Sequence, residues 1–181
     1  TDTYANNLSA NSTSISNRDF RKLIFQSSTP VDGNLGGISG ADSICNSDGI
    51  KPANTGSYKA MIVMTGIRRA SVAPDTGDGQ VDWVLLPNQF YTRPDGTPIM
   101  TTNSASIFVF GVLTFSIGTN TNAIWTGLNS NWTTDGSNCG FWTNSGGTGR
   151  YANANSPASA VIHGGNVICS YSPANLYCVQ Q

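Results

Sequence analysis

GNLGGISGADSICN, residues 33–46, is the stretch of sequence that decides the fold. Glycines crowd its first half, which predicts a loop with tight turns. The second half predicts a short helix, with Ser39 as its N-cap and Gly49 just past its end. Because Ala41, Ile44 and Cys45 recur at helical spacing, we expect the helix to place Cys45 against the core.

The chain has four cysteines, at positions 45, 139, 169 and 178. An even number of cysteines in a chain poor in charge predicts a disulfide framework and an oxidising compartment outside the cytoplasm. A Cys/His zinc site is excluded, because no C-x-x-C pair occurs and His163 is the single histidine. Four cysteines allow three connectivities, and their spacing does not choose among them. A nested pairing would tie the last strand back to the start of the domain.

Composition narrows the class of protein further. The 181 residues include nine Lys and Arg against ten Asp and Glu, and charged residues are 10% of the chain; an average domain has about 25%. A nucleic-acid partner is not expected, since phosphate binding needs a basic face. The longest apolar stretch, residues 107–117, is too short for a membrane span.

The pattern along the chain predicts two parts. Residues 1–19 are polar and predict an N-terminal arm or a linker, and residues 20–181 predict one compact α+β domain. After Trp125 the chain reads mostly as loop. The predicted strands or extended segments lie at residues 21–28, 58–66, 82–86, 89–91, 166–171 and 176–180.

The order of four segments resembles a known family. GNLGGISGADSICN resembles the part of endostatin-like domains where a Gly-rich turn leads into a helix with the first cysteine. YKAMIV follows as the next strand, and NLYCVQQ resembles the last strand. AIWTGLNSNWTTDGSNCGFW (residues 123–142) resembles the Trp-Gly stretch around the second cysteine. From about Phe20 to Gln181 the chain resembles the bacterial endostatin-like domains of unknown function on secreted and surface proteins.

This resemblance implies a fold and a disulfide pairing. The implied fold is endostatin-like and related to C-type lectin-like domains: compact and loop-rich, with a mixed, mostly antiparallel sheet and one or two short helices. The implied pairing is nested, Cys45 with Cys178 and Cys139 with Cys169. The histidines through which endostatin binds zinc near its N-terminus have no counterpart in this chain. Endostatin binds heparin through a field of arginines. In this chain the only adjacent arginines are Arg68 and Arg69.

The resemblance also implies a function. Bacterial relatives bind host matrix or complement proteins, so we expect a non-catalytic, adhesin-like binding module, secreted or on the cell surface, that recognises a host protein or glycan. We expect Trp125 and Trp142 to lie in the core and Trp132 to be exposed. The predicted ligand-binding residues are Arg68, Arg69, Asn131, Trp132 and Tyr151. Asn131 also begins a glycosylation sequon, as do Asn7 and Asn11.

Three alternatives stay open. A secreted hydrolase would use His163 as its base, and a carboxylate pair is not favoured because the chain has no Glu. A structural or assembly domain of a longer surface protein would need no ligand. No cofactor is expected, with calcium on the acidic loop of Asp75, Asp78 and Asp82 as the alternative to a solvated turn.

Overall fold

The structure, a computed structural model, describes residues 21–181. The predicted arm at residues 1–19 and the sequons at Asn7 and Asn11 lie outside the described residues. The prediction of an α+β domain is confirmed, and the described residues form nine strands in two sheets. The elements are β1 Arg21–Gln26, α1 Gly37–Ser47, β2 Tyr58–Ala60, β3 Phe90–Thr92, β4 Pro98–Thr101, β5 Ala123–Trp125, α2 Cys139–Trp142, β6 Thr148–Asn153, a 3-10 turn Ser159–Val161, β7 Gly165–Ile168, β8 Ala174–Asn175 and β9 Tyr177–Gln180.

The first sheet has the order β2-β9-β1-β3-β4. Strand β9 lies between β2 and β1 and pairs antiparallel with both, so that Ile24 faces Val179. Strands β1 and β3 are parallel. The second sheet has the order β7-β6-β5-β8, and its single parallel pair is β5 with β8. The last strand of the described chain is therefore an interior strand of the first sheet.

Helix α1 lies where the sequence predicts a helix, but it begins earlier. Its N-cap is Gly36, not Ser39, and Gly36 and Gly37 have positive φ angles of 77° and 76°. Glycine adopts this left-handed conformation without steric cost, so the pair turns the chain sharply into the helix. Ala41 and Cys45 face the core, as predicted.

Two predicted strands are shorter than expected. A strand is predicted over residues 58–66, but only Tyr58–Ala60 pairs with a neighbouring strand. The chain then crosses towards the second sheet, where Val63 N donates to Thr126 O at 2.8 Å. The predicted segment 82–86 forms no strand. Strand β6 was missed because its sequence, TGRYAN, lacks the apolar alternation that marks a strand.

Two disulfides hold the domain together. Cys45–Cys178 joins α1 to β9 and spans 133 residues, and Cys139–Cys169 joins α2 to the end of β7. This is the nested pairing that the family resemblance implied. Gly33 lies so close to the inner disulfide that a Cβ atom there would overlap Cys139 Sγ.

The core has two clusters of buried side chains, one of which contains all four cysteines with Trp125 and Trp142. The expectation that these two tryptophans lie in the core is confirmed. Within residues 21–181, no helix has the length and the apolar character needed to cross a membrane.

Candidate functional site

A groove over the second sheet brings tyrosine and asparagine side chains together. Its volume is about 310 Å³. We call it the tyrosine groove. It is lined by Thr121, Ala123, Tyr151, Asn153, Asn166, Val167 and Tyr171.

The strand register places these side chains together. Tyr151 and Asn153 alternate along β6 and therefore point to one face of the sheet. Ala123 on β5 is paired with Asn153 and has a small side chain, so it leaves space above the strand. Val167 on β7 continues the same face, because its partner on β6 is Gly149, two residues before Tyr151. Tyr171 comes from the turn that follows β7 and forms the rim.

Two glycines support the ring of Tyr151. A Cβ atom at Gly164 would lie 3.0 Å from Tyr151 Cε2 and 3.1 Å from Asn153 Oδ1. A Cβ atom at Gly165 would lie 3.4 Å from Tyr151 Cε1. Since neither residue has a side chain, the backbone lies directly against the ring and limits its movement.

The polar groups of the groove are available to a ligand. Among the described residues, the hydroxyls of Tyr151 and Tyr171 and the side-chain amide of Asn153 have no hydrogen-bond partner, and Asn166 Nδ2 donates to Ser137 Oγ at 3.3 Å. No described residue that lines the groove is charged. The neighbouring Arg150 is neutralised by Asp135, with Nη2 and Oδ2 2.6 Å apart. Uncharged amides and hydroxyls beside aromatic rings suit a neutral polar ligand.

Of the five predicted ligand-binding residues, only Tyr151 lies in the groove. The prediction that Trp132 is exposed is wrong, because its side chain is 1% exposed. Its ring stacks on Phe110 and meets Phe108 edge-on, and its Nε1 donates to Phe108 O at 3.2 Å. Asn131 beside it is half-buried, and its Oδ1 accepts from the hydroxyl of Thr133 at 2.7 Å. The ring of Trp132 is therefore not exposed to a ligand.

Arg68, also predicted to bind a ligand, is buried within the domain. Its side chain is 1% exposed and forms ion pairs with Asp42 on α1 and with Asp82. These partners outweigh the effect of burial and raise its pKa. Arg69 is half-buried, and its Nε donates to Gly79 O at 2.7 Å. Arg68 therefore holds α1 and Asp82 together from within, whereas Arg69 is partly exposed and is bound only to a main-chain carbonyl.

Two of the three aspartates proposed for calcium, Asp78 and Asp82, have other side-chain partners, while Asp75 bonds through its main-chain N to Asn131 O at 2.9 Å. Asp78 Oδ1 accepts hydrogen bonds from Val72 N, Ala73 N and the hydroxyls of Ser71 and Thr76. Hydrogen bonding, first from Thr76, lowers the pKa of Asp78 well below its usual range. Asp82 pairs with Lys59 as well as with Arg68. In residues 21–181 no group of three His, Cys, Asp or Glu side chains is placed to hold a metal ion.

His163 lies beside a backbone carbonyl. Its Nδ1 is 3.3 Å from Leu128 O. In the described part of the chain, no side-chain hydroxyl or carboxylate is hydrogen-bonded to this imidazole.

Sequence reasoning missed four polar members of the groove, Thr121, Asn153, Asn166 and Tyr171. The alternation of Tyr151 and Asn153 would have identified two side chains on one face, had β6 been recognised as a strand. Tyr171 and Thr121 lie in loops, where no periodic pattern marks the direction of a side chain. These residues became visible only through the pairing of β5, β6 and β7.

The fold and the groove together define a disulfide-bonded α+β domain with an uncharged polar groove. The chain belongs to the family described as "Protein of unknown function (DUF1554)", whose model matches residues 28–157. The match includes Tyr151 and Asn153 and ends before Asn166 and Tyr171. Comparison with curated proteins gives no match.

Proposed function

We propose that this protein is a non-catalytic extracellular binding module and that its tyrosine groove recognises a glycan. The observation that carries the proposal is the set of unpaired polar atoms beside two tyrosine rings in one uncharged groove. The two disulfides are consistent with an oxidising, extracellular location.

The chemistry of the groove suits sugars in two ways. A tyrosine ring offers an apolar face to the C–H face of a sugar, and its hydroxyl stays available as a polar contact. The amide of Asn153 can donate and accept at once, as neighbouring sugar hydroxyls require. A groove of about 310 Å³ is at the small end of ligand sites. It would therefore hold the terminal one or two sugars of a longer chain.

The neutral character of the groove argues for an uncharged glycan. Sulfated or sialylated chains need cations, and Arg150 next to the groove is already paired with Asp135. We also propose that the fold is endostatin-like and related to C-type lectin-like domains, supported by the nested disulfides and the mixed sheets. The sequence predicts a host protein or a glycan as the partner, and a host protein that carries such a glycan would be both.

A glycan array followed by NMR mapping tests this function. We expect binding to neutral terminal sugars, with ligand-induced shifts at Tyr151, Asn153, Asn166 and Tyr171. Tyr171→Ala should weaken the array signal, and Phe141→Ala, which truncates another exposed aromatic side chain, should not. An array without hits, or hits whose shifts lie outside the groove, would reject the proposal.

A further inference from the structure

The tyrosine groove has two chemically different ends. Strand β6 places Tyr151 and Asn153 two residues apart on one face of the second sheet. Tyr151 belongs to the aromatic end, together with Val167 and Tyr171. Asn153 belongs to the other end, together with Ala123, and we call this the amide end. Residues two apart along a strand are separated by about 7 Å, so one sugar can touch both ends.

An alanine lies directly opposite Asn153 at the amide end. Ala123 on β5 and Asn153 on β6 are partners in the antiparallel ladder. The Cβ atoms of such partners are about 4.5–5.5 Å apart, so the methyl group of Ala123 and the carboxamide of Asn153 are neighbours. Ala123 is 8% exposed and lines the groove. Part of its methyl group therefore forms a small apolar floor beside the carboxamide.

The carboxamide of Asn153 is accessible as well as unpaired. Within residues 21–181 it has no hydrogen-bond partner, and neither its Oδ1 nor its Nδ2 is a buried atom. Its accessibility depends on Gly164, because a Cβ atom there would lie 3.1 Å from Asn153 Oδ1 and 3.2 Å from Cγ. The backbone of Gly164 thus limits the movement of the carboxamide. A ligand N–H can therefore donate to an acceptor that is already held in position.

An acetamido group matches this pair of neighbours. In a trans amide the N–H and the methyl group lie on the same edge, opposite the carbonyl oxygen. One such edge can therefore meet Asn153 Oδ1 and the methyl group of Ala123 at once, on two adjacent strands. A sugar hydroxyl could make the hydrogen bond but would leave the apolar floor uncovered. A free amine is a cation at neutral pH, and no described residue that lines the groove carries a counter-charge.

We propose that the glycan recognised by the tyrosine groove ends in an N-acetylhexosamine, an inference that rests on the glycan-binding function proposed above. The acetamido N–H donates to Asn153 Oδ1, and the acetamido methyl group contacts Ala123. The carbonyl oxygen of the group points away from the floor, towards solvent. The sugar ring lies at the aromatic end, where the apolar C–H face contacts the ring of Tyr171. The amide end therefore selects the N-acetylated sugar over the plain hexose.

Matched sugar pairs test this selection, with the oxidised full chain as the receptor. On the array and in NMR titrations, N-acetylglucosamine is compared with glucose and N-acetylgalactosamine with galactose, each as the terminal sugar. We expect at least one N-acetyl sugar to bind about tenfold more tightly than its parent hexose. Equal affinities within both pairs would overturn this inference and leave the glycan function standing, whereas an array without hits would reject both. Nε-acetyl-lysine carries the same group without a sugar ring, and equal binding of this compound would also overturn the proposal.

Variants of the amide end locate the selection. Asn153→Leu removes the acceptor and should reduce the preference for the N-acetyl sugar to below about threefold, whereas Asn153→Asp keeps an acceptor and should retain the preference. Asn166→Leu is the matched control, because this asparagine lines the groove but its Nδ2 donates to Ser137 Oγ. If Asn153→Leu does not fold, Ala123→Ser replaces the apolar floor with a polar one and should also lower the preference. An unchanged preference in every folded variant of Asn153 and Ala123 would overturn the proposal.

Discussion

Arg68 binds both carboxylate oxygens of Asp42, with Nη1–Oδ1 and Nη2–Oδ2 distances of 2.8 Å. Asp42 lies on α1, and its Oδ1 also accepts from Ala60 N of β2 at 2.8 Å. Arg68 Nη1 reaches Ala60 O at 2.9 Å. One buried guanidinium therefore fastens the helix to the first sheet.

Loss of this guanidinium should destabilise the domain strongly. Arg68→Met leaves Asp42 partly buried without its counter-ion, which costs about 3–5 kcal/mol of unfolding free energy. Urea denaturation measures the change. Arg69→Met is the matched control and should cost less than about 1 kcal/mol, since Arg69 forms no ion pair among the described residues. Equal losses in the two variants would contradict this account of Arg68.

Gly33→Ala should prevent the inner disulfide from closing. A Cβ atom at this position would overlap Cys139 Sγ and lie 3.0 Å from Cys169 Cβ. We expect two free thiols per chain by thiol titration after oxidative refolding, with the outer disulfide intact. Gly49→Ala is the control, because a Cβ atom there meets nothing within 4 Å. A fully oxidised Gly33→Ala protein of normal stability would contradict the prediction.

Trp132→Ala should behave as a core mutation and not as a binding mutation. Removal of this ring from among Phe108, Phe110 and Trp83 should cost about 3–5 kcal/mol. Trp132→Phe should cost less and should keep full glycan binding on the array. If a stably folded Trp132→Phe protein lost glycan binding, Trp132 would be a ligand-binding residue and this prediction would be wrong.

Two buried tyrosines should make the domain sensitive to alkali. Burial raises the pKa of Tyr91 to about 12, against the opposing hydrogen bond from Leu86 N, and burial also raises the pKa of Tyr177. A raised pKa means that the folded state holds its proton more tightly than the unfolded chain, whose tyrosines titrate near 10. Stability should therefore be complete below about pH 10 and fall progressively from pH 10 to 12. Denaturation curves from pH 8 to 11.5 measure the slope. Tyr91→Phe should reduce the dependence of the unfolding free energy on pH. An unchanged slope would show that the raised pKa of Tyr91 is not its cause.

Tyr171 should contribute to binding without contributing to stability. Its side chain is 37% exposed at the rim of the tyrosine groove. We expect Tyr171→Ala to weaken glycan affinity about tenfold, as loss of one aromatic contact does, with Tm changed by less than 2–3 °C. Titration calorimetry and thermal unfolding separate the two quantities. A large fall in Tm would instead make Tyr171 a structural residue.

Local patterns were sufficient to predict part of this fold. The glycine-rich turn before α1, the helical face of Ala41 and Cys45, and the strands at residues 21–26 and 177–180 all depend on neighbours within a few positions. Strand β6 could not be predicted in this way, because TGRYAN becomes a strand through its partners β5 and β7 and not through its own propensity.

The site was harder to predict because exposure is a tertiary property. Trp132 stands between two polar residues and still lies in the core, since Phe108 and Phe110 come from a distant segment to cover it. Arg68 is buried because Asp42 and Asp82 meet it there. The spacing of residues in the sequence does not indicate contacts between such distant positions. Tyr151 was predicted because it is an aromatic residue with a hydroxyl group. The other residues of the tyrosine groove could be identified only from the strand pairing of the second sheet.

The position of β9 inside the first sheet constrains how the protein is made. Leu23 and Gln180 are hydrogen-bonded although 157 positions separate them. Until β9 has been synthesised, β1 and β2 lack the strand that lies between them, and Cys45 lacks its partner. The nascent chain must therefore wait for its last strand before the domain can close, and folding with such distant pairing is slow.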